Sequence, residues 1–150
     1  AVTTLLRLRD RHGVSGAFRA ANLVYGVYDL SGRPSRRKRA DRHPMLSTPD
    51  RVWFRQSFTG DRDLEELRDP DLSPLHAELH DLPPALFTVG DLDPLLDDSQ
   101  FMAARWQSAG NRAELRVWPE SIHGFTAFPL ALARAANNAQ LEFLRAAVSD

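Results

Sequence analysis

The 150-residue sequence contains no cysteine, which excludes disulfide bonds, thiolate nucleophiles and cysteine-ligated zinc or iron–sulfur sites. It has no charge excess either, because 19 basic and 20 acidic side chains leave a formal net charge of −1. That balance argues against a protein that binds nucleic acid by neutralising phosphates. No apolar run approaches the roughly 20 residues that a membrane-spanning helix requires. Lysine occurs once, at Lys38, so a lysine-dependent mechanism has a single candidate residue.

The residues that are present have the composition of an ordinary globular protein, with 43% hydrophobic and 26% charged side chains. The length suits one domain, so residues 1–150 are treated as a single unit. The opening residues read as a helix already under way, without an N-cap side chain before them. We therefore expect the chain to be a fragment of a longer polypeptide. No leader peptide is visible, which favours a cytoplasmic location.

Strands and helices alternate along the sequence. Short apolar segments predict strands at residues 17–25, 85–90 and 113–118. Amphipathic segments with glycine stops predict helices at residues 1–11, 47–60, 97–109 and 130–148. Between the first two strands, residues 32–43 form a polar loop and residues 61–84 are acidic and rich in turn residues. This order predicts an α/β fold with parallel strands covered by helices.

Acidic and imidazole side chains follow the last two predicted strands. Asp91 and Asp93 come directly after residues 85–90, and His123 comes after residues 113–118. Because active sites of open α/β sheets gather at the carboxyl ends of the strands, these side chains can meet in space. A carboxylate that fixes a histidine tautomer is two-thirds of a nucleophilic triad, and acid-then-histidine is the chain order of α/β-hydrolases.

Four stretches carry a more specific resemblance. They are Tyr28-Asp29-Leu30, the Asp-Pro and Ser-Pro-Leu stretch of residues 69–75, Leu82-Pro83-Pro84-Ala85 leading towards Asp93-Pro94-Leu95-Leu96-Asp97, and His123-Gly124-Phe125. Together they span nearly the whole chain and resemble the C-terminal half of α/β-hydrolase esterases and lipases of the hormone-sensitive-lipase-like branch.

The resemblance implies a serine carboxylesterase that needs no metal and no cofactor. Asp93 would be the triad acid, and His123 the general base that takes the serine proton and returns it to the leaving alcohol. Residues 33–80 would form a cap segment over the pocket for a small-molecule ester. The candidate pocket walls are four aromatic residues, for which packing in the core is the alternative interpretation: Trp53, Phe54, Phe58 and Phe125.

The sequence departs from this family at the nucleophile, because it contains neither Gly-x-Ser-x-Gly nor an upstream His-Gly-Gly. The nearest serines, Ser15 and Ser108, each lack one glycine and do not lie at a strand-to-helix elbow. We therefore expect the serine and the oxyanion hole to lie upstream of Ala1, and the chain alone to be inactive. The missing half would come as a second chain or through a swapped homodimer. The alternative is a degenerate, non-catalytic hydrolase chain used for binding or assembly.

Other patterns have plainer interpretations. Asp91-Leu92-Asp93 resembles the Asp-x-Asp of haloacid-dehalogenase-type phosphatases only locally, and Asp97 and Asp98 suit the positive end of the following helix. His76 and His80 have the i, i+4 spacing of a zinc pair, but a solvated helix face is favoured because no third ligand is indicated. The basic run within residues 32–43 is interpreted as a solvated loop.

Overall fold

The computed structural model describes residues 1–32 and 44–149, and within them one parallel sheet forms the centre of the fold. Its strands are β1 (Ala21–Val24), β2 (Ala85–Gly90) and β3 (Ala113–Trp118), arranged in the order β1-β2-β3. In the register, Ala85 lies opposite Ala21 on one side and Ala113 on the other. The predicted α/β architecture with parallel strands is confirmed, and it brings the carboxyl ends of all three strands to one edge.

Four α-helices lie within the described residues. They are α1 (Val2–His12), α2 (Thr48–Thr59), α3 (Leu96–Ser108) and α4 (Ala131–Ser149). Each lies within about two residues of its predicted bounds, the usual uncertainty of helix ends. Gly13 ends α1 in the left-handed conformation with φ 64°, as its glycine stop predicts. None of these described helices combines the length and apolar character that crossing a bilayer demands.

Strand β1 is shorter than predicted, and its partner explains why. The expected strand covered residues 17–25, whereas the ladder begins at Ala21, whose N–H donates to the carbonyl of Pro84 at 2.8 Å. Residues before Ala21 would face Pro83 and Pro84, which have no N–H to donate. At the other end, Tyr25 turns the chain out of the sheet with a φ of 34°.

The core lies around β2, which is buried along its whole length. Phe87 packs edge-on against Trp106 of α3 with ring centroids 5.7 Å apart, and both side chains are inaccessible to solvent. The indole N–H of Trp106 donates to the carbonyl of Pro83 at 3.0 Å, so its polar atom is satisfied. From α1, Val2 and Leu6 add to the same cluster. A strand covered on both faces suits a parallel sheet flanked by helices.

Helix α2 begins with a capping box. Ser47 accepts from the N–H of Asp50, and Asp50 accepts from the N–H of Ser47. The hydrogen bond from the Ser47 side chain lowers the pKa of the exposed Asp50 carboxyl. The helix leaves several large apolar side chains exposed: Val52, Trp53, Phe54 and Phe58.

Residues 61–84 form turns and two short 3-10 helices, Glu66–Arg68 and Pro74–His76. The segment is tied to the loop after β1, because the Leu75 N–H donates to the carbonyl of Tyr28 at 2.9 Å. His76 and His80 do not lie on one helix, because the 3-10 turn ends at His76. His80 lies outside it, with Nδ1 3.0 Å from the Asp81 carboxylate.

Candidate active site

Asp93 lies in the tight turn after β2, and each of its carboxylate oxygens has its own partner. Oδ1 accepts the N–H of Leu95 at 2.8 Å, and Oδ2 lies 3.0 Å from Nδ1 of His123. The Asp93 N–H donates to the carbonyl of Gly90 at 3.2 Å, which closes the turn. The side chain is fully buried, so its orientation is fixed by these bonds rather than by solvent.

His123 lies in the loop after β3, and this loop is joined to the Asp93 turn by backbone bonds. Leu92 N–H donates to the carbonyl of Ser121 at 3.1 Å, and Ser121 N–H donates to Oδ1 of Asp91 at 3.3 Å. Gly124 follows with a φ of 77°, a left-handed conformation that glycine adopts without strain. The structure therefore brings Asp93 and His123 together, while Asp91 supports the loop between them.

This pair can hold a histidine as a general base. An ionised carboxylate beside Nδ1 favours the tautomer that carries its proton there. Nε2, on the other side of the ring, is then the nitrogen able to accept a proton from a nucleophile. The His123 side chain is 22% exposed, so it reaches solvent while Asp93 does not.

His123 lines a cavity of about 810 Å³ between the strand ends and α2. Its walls include Tyr25, Leu30, Phe54, Phe58 and Leu95. The volume falls in the range of small-molecule sites, which are mainly apolar with a few placed polar groups.

The four aromatic residues predicted as pocket walls divide into two pairs. Phe54 and Phe58 line the cavity, whereas Trp53 and Phe125 are not among its lining residues in the described part of the chain. Trp53 is 62% exposed and packs on Phe54 with ring centroids 5.0 Å apart. Phe125 is buried, with its ring centroid 6.3 Å from that of Trp118. A role in substrate contact remains a prediction for all four.

Sequence reasoning missed two residues near the site. Tyr25 packs its ring on the imidazole of His123, with centroids 4.8 Å apart. Asp98, expected only to favour the start of α3, is fully buried, and its Oδ1 accepts the N–H groups of Tyr28 and Asp29 at 2.8 and 3.0 Å. The position of Tyr25 before Gly26, at the end of a predicted strand, could have indicated its role. No feature of the sequence near Asp98 indicates that it binds residues 70 and 69 positions away.

The serines considered as alternative nucleophiles lie elsewhere. Ser108 is the last residue of α3 and its Oγ donates to the carbonyl of Ala104 at 2.9 Å, while Ser15 is exposed after α1. Neither lines the cavity. Within residues 1–32 and 44–149, no three histidine, aspartate or glutamate side chains are grouped closely enough to hold a metal ion.

Comparison with known proteins finds that the chain is similar to esterases. A family model described as alpha/beta hydrolase fold matches residues 1–127. An acetyl esterase of Salmonella choleraesuis is 29% identical over 126 residues, which are 83% of this chain and 38% of that protein.

Two solved structures superpose closely on the chain. The esterase EstE5 soaked with ethyl alcohol has a TM-score of 0.89 at 27% identity, covering 99% of this chain and 50% of that one. A hormone-sensitive lipase from a metagenome library has a TM-score of 0.84 at 25% identity, covering 97% of this chain and 50% of that one. The chain thus spans about half the length of these solved structures and less of the acetyl esterase.

Proposed function

This chain belongs to the α/β-hydrolase fold family, and on that premise we propose that it supplies the acid and the general base of a serine carboxylesterase. The observation that carries the proposal is the 3.0 Å contact between Oδ2 of buried Asp93 and Nδ1 of His123. His123 also lines a cavity of about 810 Å³. The relatives that resemble most of the chain are named as esterases and a lipase.

The proposed reaction is two-step ester hydrolysis. Nε2 of His123 takes the proton of a serine hydroxyl as its oxygen attacks the ester carbonyl, and Asp93 stabilises the imidazolium that forms. The tetrahedral intermediate then breaks the bond to the alcohol, which leaves with the proton from His123. Water, activated by the same imidazole, hydrolyses the acyl-enzyme and regenerates the serine.

The nucleophilic serine and the oxyanion hole belong, in this proposal, to polypeptide outside these 150 residues, because the sequence contains no Gly-x-Ser-x-Gly. The edge of β1 is suited to contact with it: among the described residues β1 pairs only with β2, so its other edge can accept a further strand. Phe18 and Val27, on either side of β1 in the sequence, are both 45% exposed. We propose that the rest of the hydrolase domain, from the same polypeptide or another, covers this edge.

The substrate in this proposal is a small ester whose acyl or alcohol group lies against Phe54, Phe58 and Leu72. Residues 44–80 of the expected cap segment include α2, which supplies the two aromatic walls. Residues 33–43 of that segment lie outside the described residues.

The test uses the complete open reading frame that encodes this chain, assayed with p-nitrophenyl acetate. His123→Gln should lower kcat by about a thousandfold or more, because the base is lost while the fold is kept. His80→Gln is the matched control, since His80 is largely exposed and its ring pairs with the carboxylate of Asp81.

A fluorophosphonate that traps activated serines should label the active protein, and peptide mass mapping after digestion should find the adduct outside residues 1–150. The 150-residue chain alone should remain unlabelled. Ester hydrolysis that survives His123→Gln would contradict the proposal. Absence of both hydrolysis and labelling in the complete protein would favour the degenerate, non-catalytic alternative.

A further inference from the structure

Tyr25 follows the last residue of β1 and has a backbone conformation that residues with side chains rarely adopt. Its φ is 34°, and its N–H still donates to the carbonyl of Thr88 at 2.7 Å. Gly26 follows, where an added Cβ would lie 2.5 Å from the phenol ring of Tyr28, so the turn is closely packed immediately after Tyr25. Strained conformations of this kind persist where the surroundings enforce them, and they cluster at functional sites.

The Tyr25 side chain contacts both the imidazole of His123 and the turn that follows it. The two ring centroids are 4.8 Å apart with planes inclined at 60°. The phenol oxygen lies 2.8 Å from Oγ1 of Thr126, three residues after His123, and either hydroxyl can donate. The carbonyl of Thr126 in turn accepts from Nδ2 of Asn137 in α4 at 3.0 Å. Tyr25 therefore joins the end of β1 to the histidine turn and to the helix behind it.

The contacts of Tyr25 restrain the His123 ring in a way that the hydrogen bond to Asp93 does not. The hydrogen bond at Nδ1 fixes the distance between Asp93 and His123, but by itself it leaves the imidazole the freedom to rotate about that bond. A ring packed against the imidazole removes this freedom, because the plane cannot turn without displacing Tyr25. The phenol, which also lines the cavity, is itself held by Thr126. Catalytic side chains need support of this kind to stay within about 0.5 Å of the productive geometry.

We propose that Tyr25 is a positioning residue for the general base. Its ring, fixed by the hydrogen bond to Thr126, keeps His123 oriented with Nδ1 on Asp93 and Nε2 towards the cavity. This inference rests on the proposed esterase function. It goes beyond that function by assigning part of the site's precision to a residue that takes no part in proton transfer.

The kinetic test compares Tyr25→Phe, Thr126→Val and their double variant in the complete protein. Each single change removes the same hydrogen bond and should lower kcat about two- to tenfold, with KM changed by less than about twofold. The double variant should be no slower than the slower single variant, because both changes break one interaction. Tyr25→Leu, which also removes the ring, should lower kcat further.

The matched control is Tyr28→Phe. Tyr28 lies three residues further along the chain, is buried, and packs edge-on against Phe87 at 6.0 Å instead of against the histidine. The kcat of the Tyr28→Phe variant should equal that of the unaltered protein. A kcat unchanged in Tyr25→Phe, Thr126→Val and Tyr25→Leu would overturn the inference, as would an equal loss in Tyr28→Phe.

A second measurement separates the inference from the proposed function. The ¹⁵N chemical shifts of His123 report its tautomer whether or not the protein hydrolyses esters. A single Nδ1-protonated tautomer that becomes mixed in Tyr25→Leu and Tyr25→Phe supports the positioning role even in an inactive protein. Unchanged shifts in both variants would overturn it. If Tyr25→Leu fails to fold, as circular dichroism would show, Tyr25→Phe and Thr126→Val decide.

Discussion

Gly90 ends β2 directly beneath the carbonyl oxygen of Ser121, so close that a Cβ atom at position 90 would overlap that oxygen and its carbon. The contact joins the strand before Asp93 to the loop before His123. Glycine is needed here because the two backbones approach closely. Its φ is not positive, so the conformational freedom of glycine is not the reason. The spacing of the loops that carry Asp93 and His123 thus depends on the absence of a methyl group at position 90.

The first prediction is that Gly90→Ala disrupts the site. The added methyl must push the Ser121 backbone away, and overpacking of this kind costs about 1–3 kcal/mol of unfolding free energy. Urea unfolding should show that loss, and kcat should fall because the His123 loop moves. Gly110→Ala is the control, since nothing lies within 4 Å of its added methyl and only its φ of 87° is unfavourable. It should lose stability but keep kcat, whereas full activity in Gly90→Ala would contradict the prediction.

The second prediction concerns the charge of Asp93. Asp93→Asn keeps an oxygen for the Leu95 N–H but no longer holds the required tautomer or stabilises the imidazolium, so kcat should fall by about ten-thousandfold. Asp91→Asn, in the same turn, keeps an acceptor for the Ser121 N–H and should have little effect on kcat. Both are measured with p-nitrophenyl acetate on the complete protein. Equal losses in the two variants would show that the pairing with His123 is not what matters.

The third prediction concerns Asp98, which holds the backbone that leaves β1. Asp98→Ala leaves the buried N–H groups of Tyr28 and Asp29 without this acceptor, at about 1–3 kcal/mol for each amide that stays unsatisfied. Urea unfolding should reveal the loss. Asp97→Ala, a partly exposed carboxylate on the same turn of α3, should cost clearly less. Similar losses in both variants would refute the role given to Asp98.

The family resemblance inferred from the sequence is confirmed. It could be inferred because its motifs depend on residues that are close together along the chain. Strands 85–90 and 113–118 were predicted with their observed bounds because apolar runs end at turn residues. Asp93 and His123 were predicted to meet because residues that follow adjacent parallel strands share one edge of the sheet. The periodicity of the sequence and the topology rules for parallel sheets were sufficient to predict these two strands and the meeting of Asp93 and His123.

What the sequence did not predict depends on distant partners. The start of β1 is decided by Pro83 and Pro84, which lie directly before β2 and about 60 residues further along the chain, so no local window of sequence contains both. The Tyr25–Thr126 bond spans 101 positions. Such contacts become apparent only when the strands are already assembled, so no spacing along the chain indicates them.

The fourth prediction is a loss of stability at high pH that depends on Tyr28. Burial, and then the nearby Asp98 carboxylate, raise the pKa of the Tyr28 hydroxyl above its ordinary value of 10.0. The unfolded chain therefore loses this proton first as pH rises above about 10, and the unfolding free energy falls by about 1.4 kcal/mol per pH unit there. Below that pH, where both states keep the proton, the contribution is constant.

Tyr28→Phe isolates this effect, because phenylalanine keeps the edge-on packing against Phe87 but has no proton to lose. Urea unfolding of both proteins at several pH values between 8 and about 11.5 should give parallel free energies up to the ordinary tyrosine pKa and diverging ones above it. The variant should show the shallower decline. Other titrating groups are common to both proteins and cancel in the difference. Equal slopes above pH 10 would mean that the folded state ionises Tyr28 as readily as the unfolded chain does, and that its hydroxyl is not held in the buried, uncharged form.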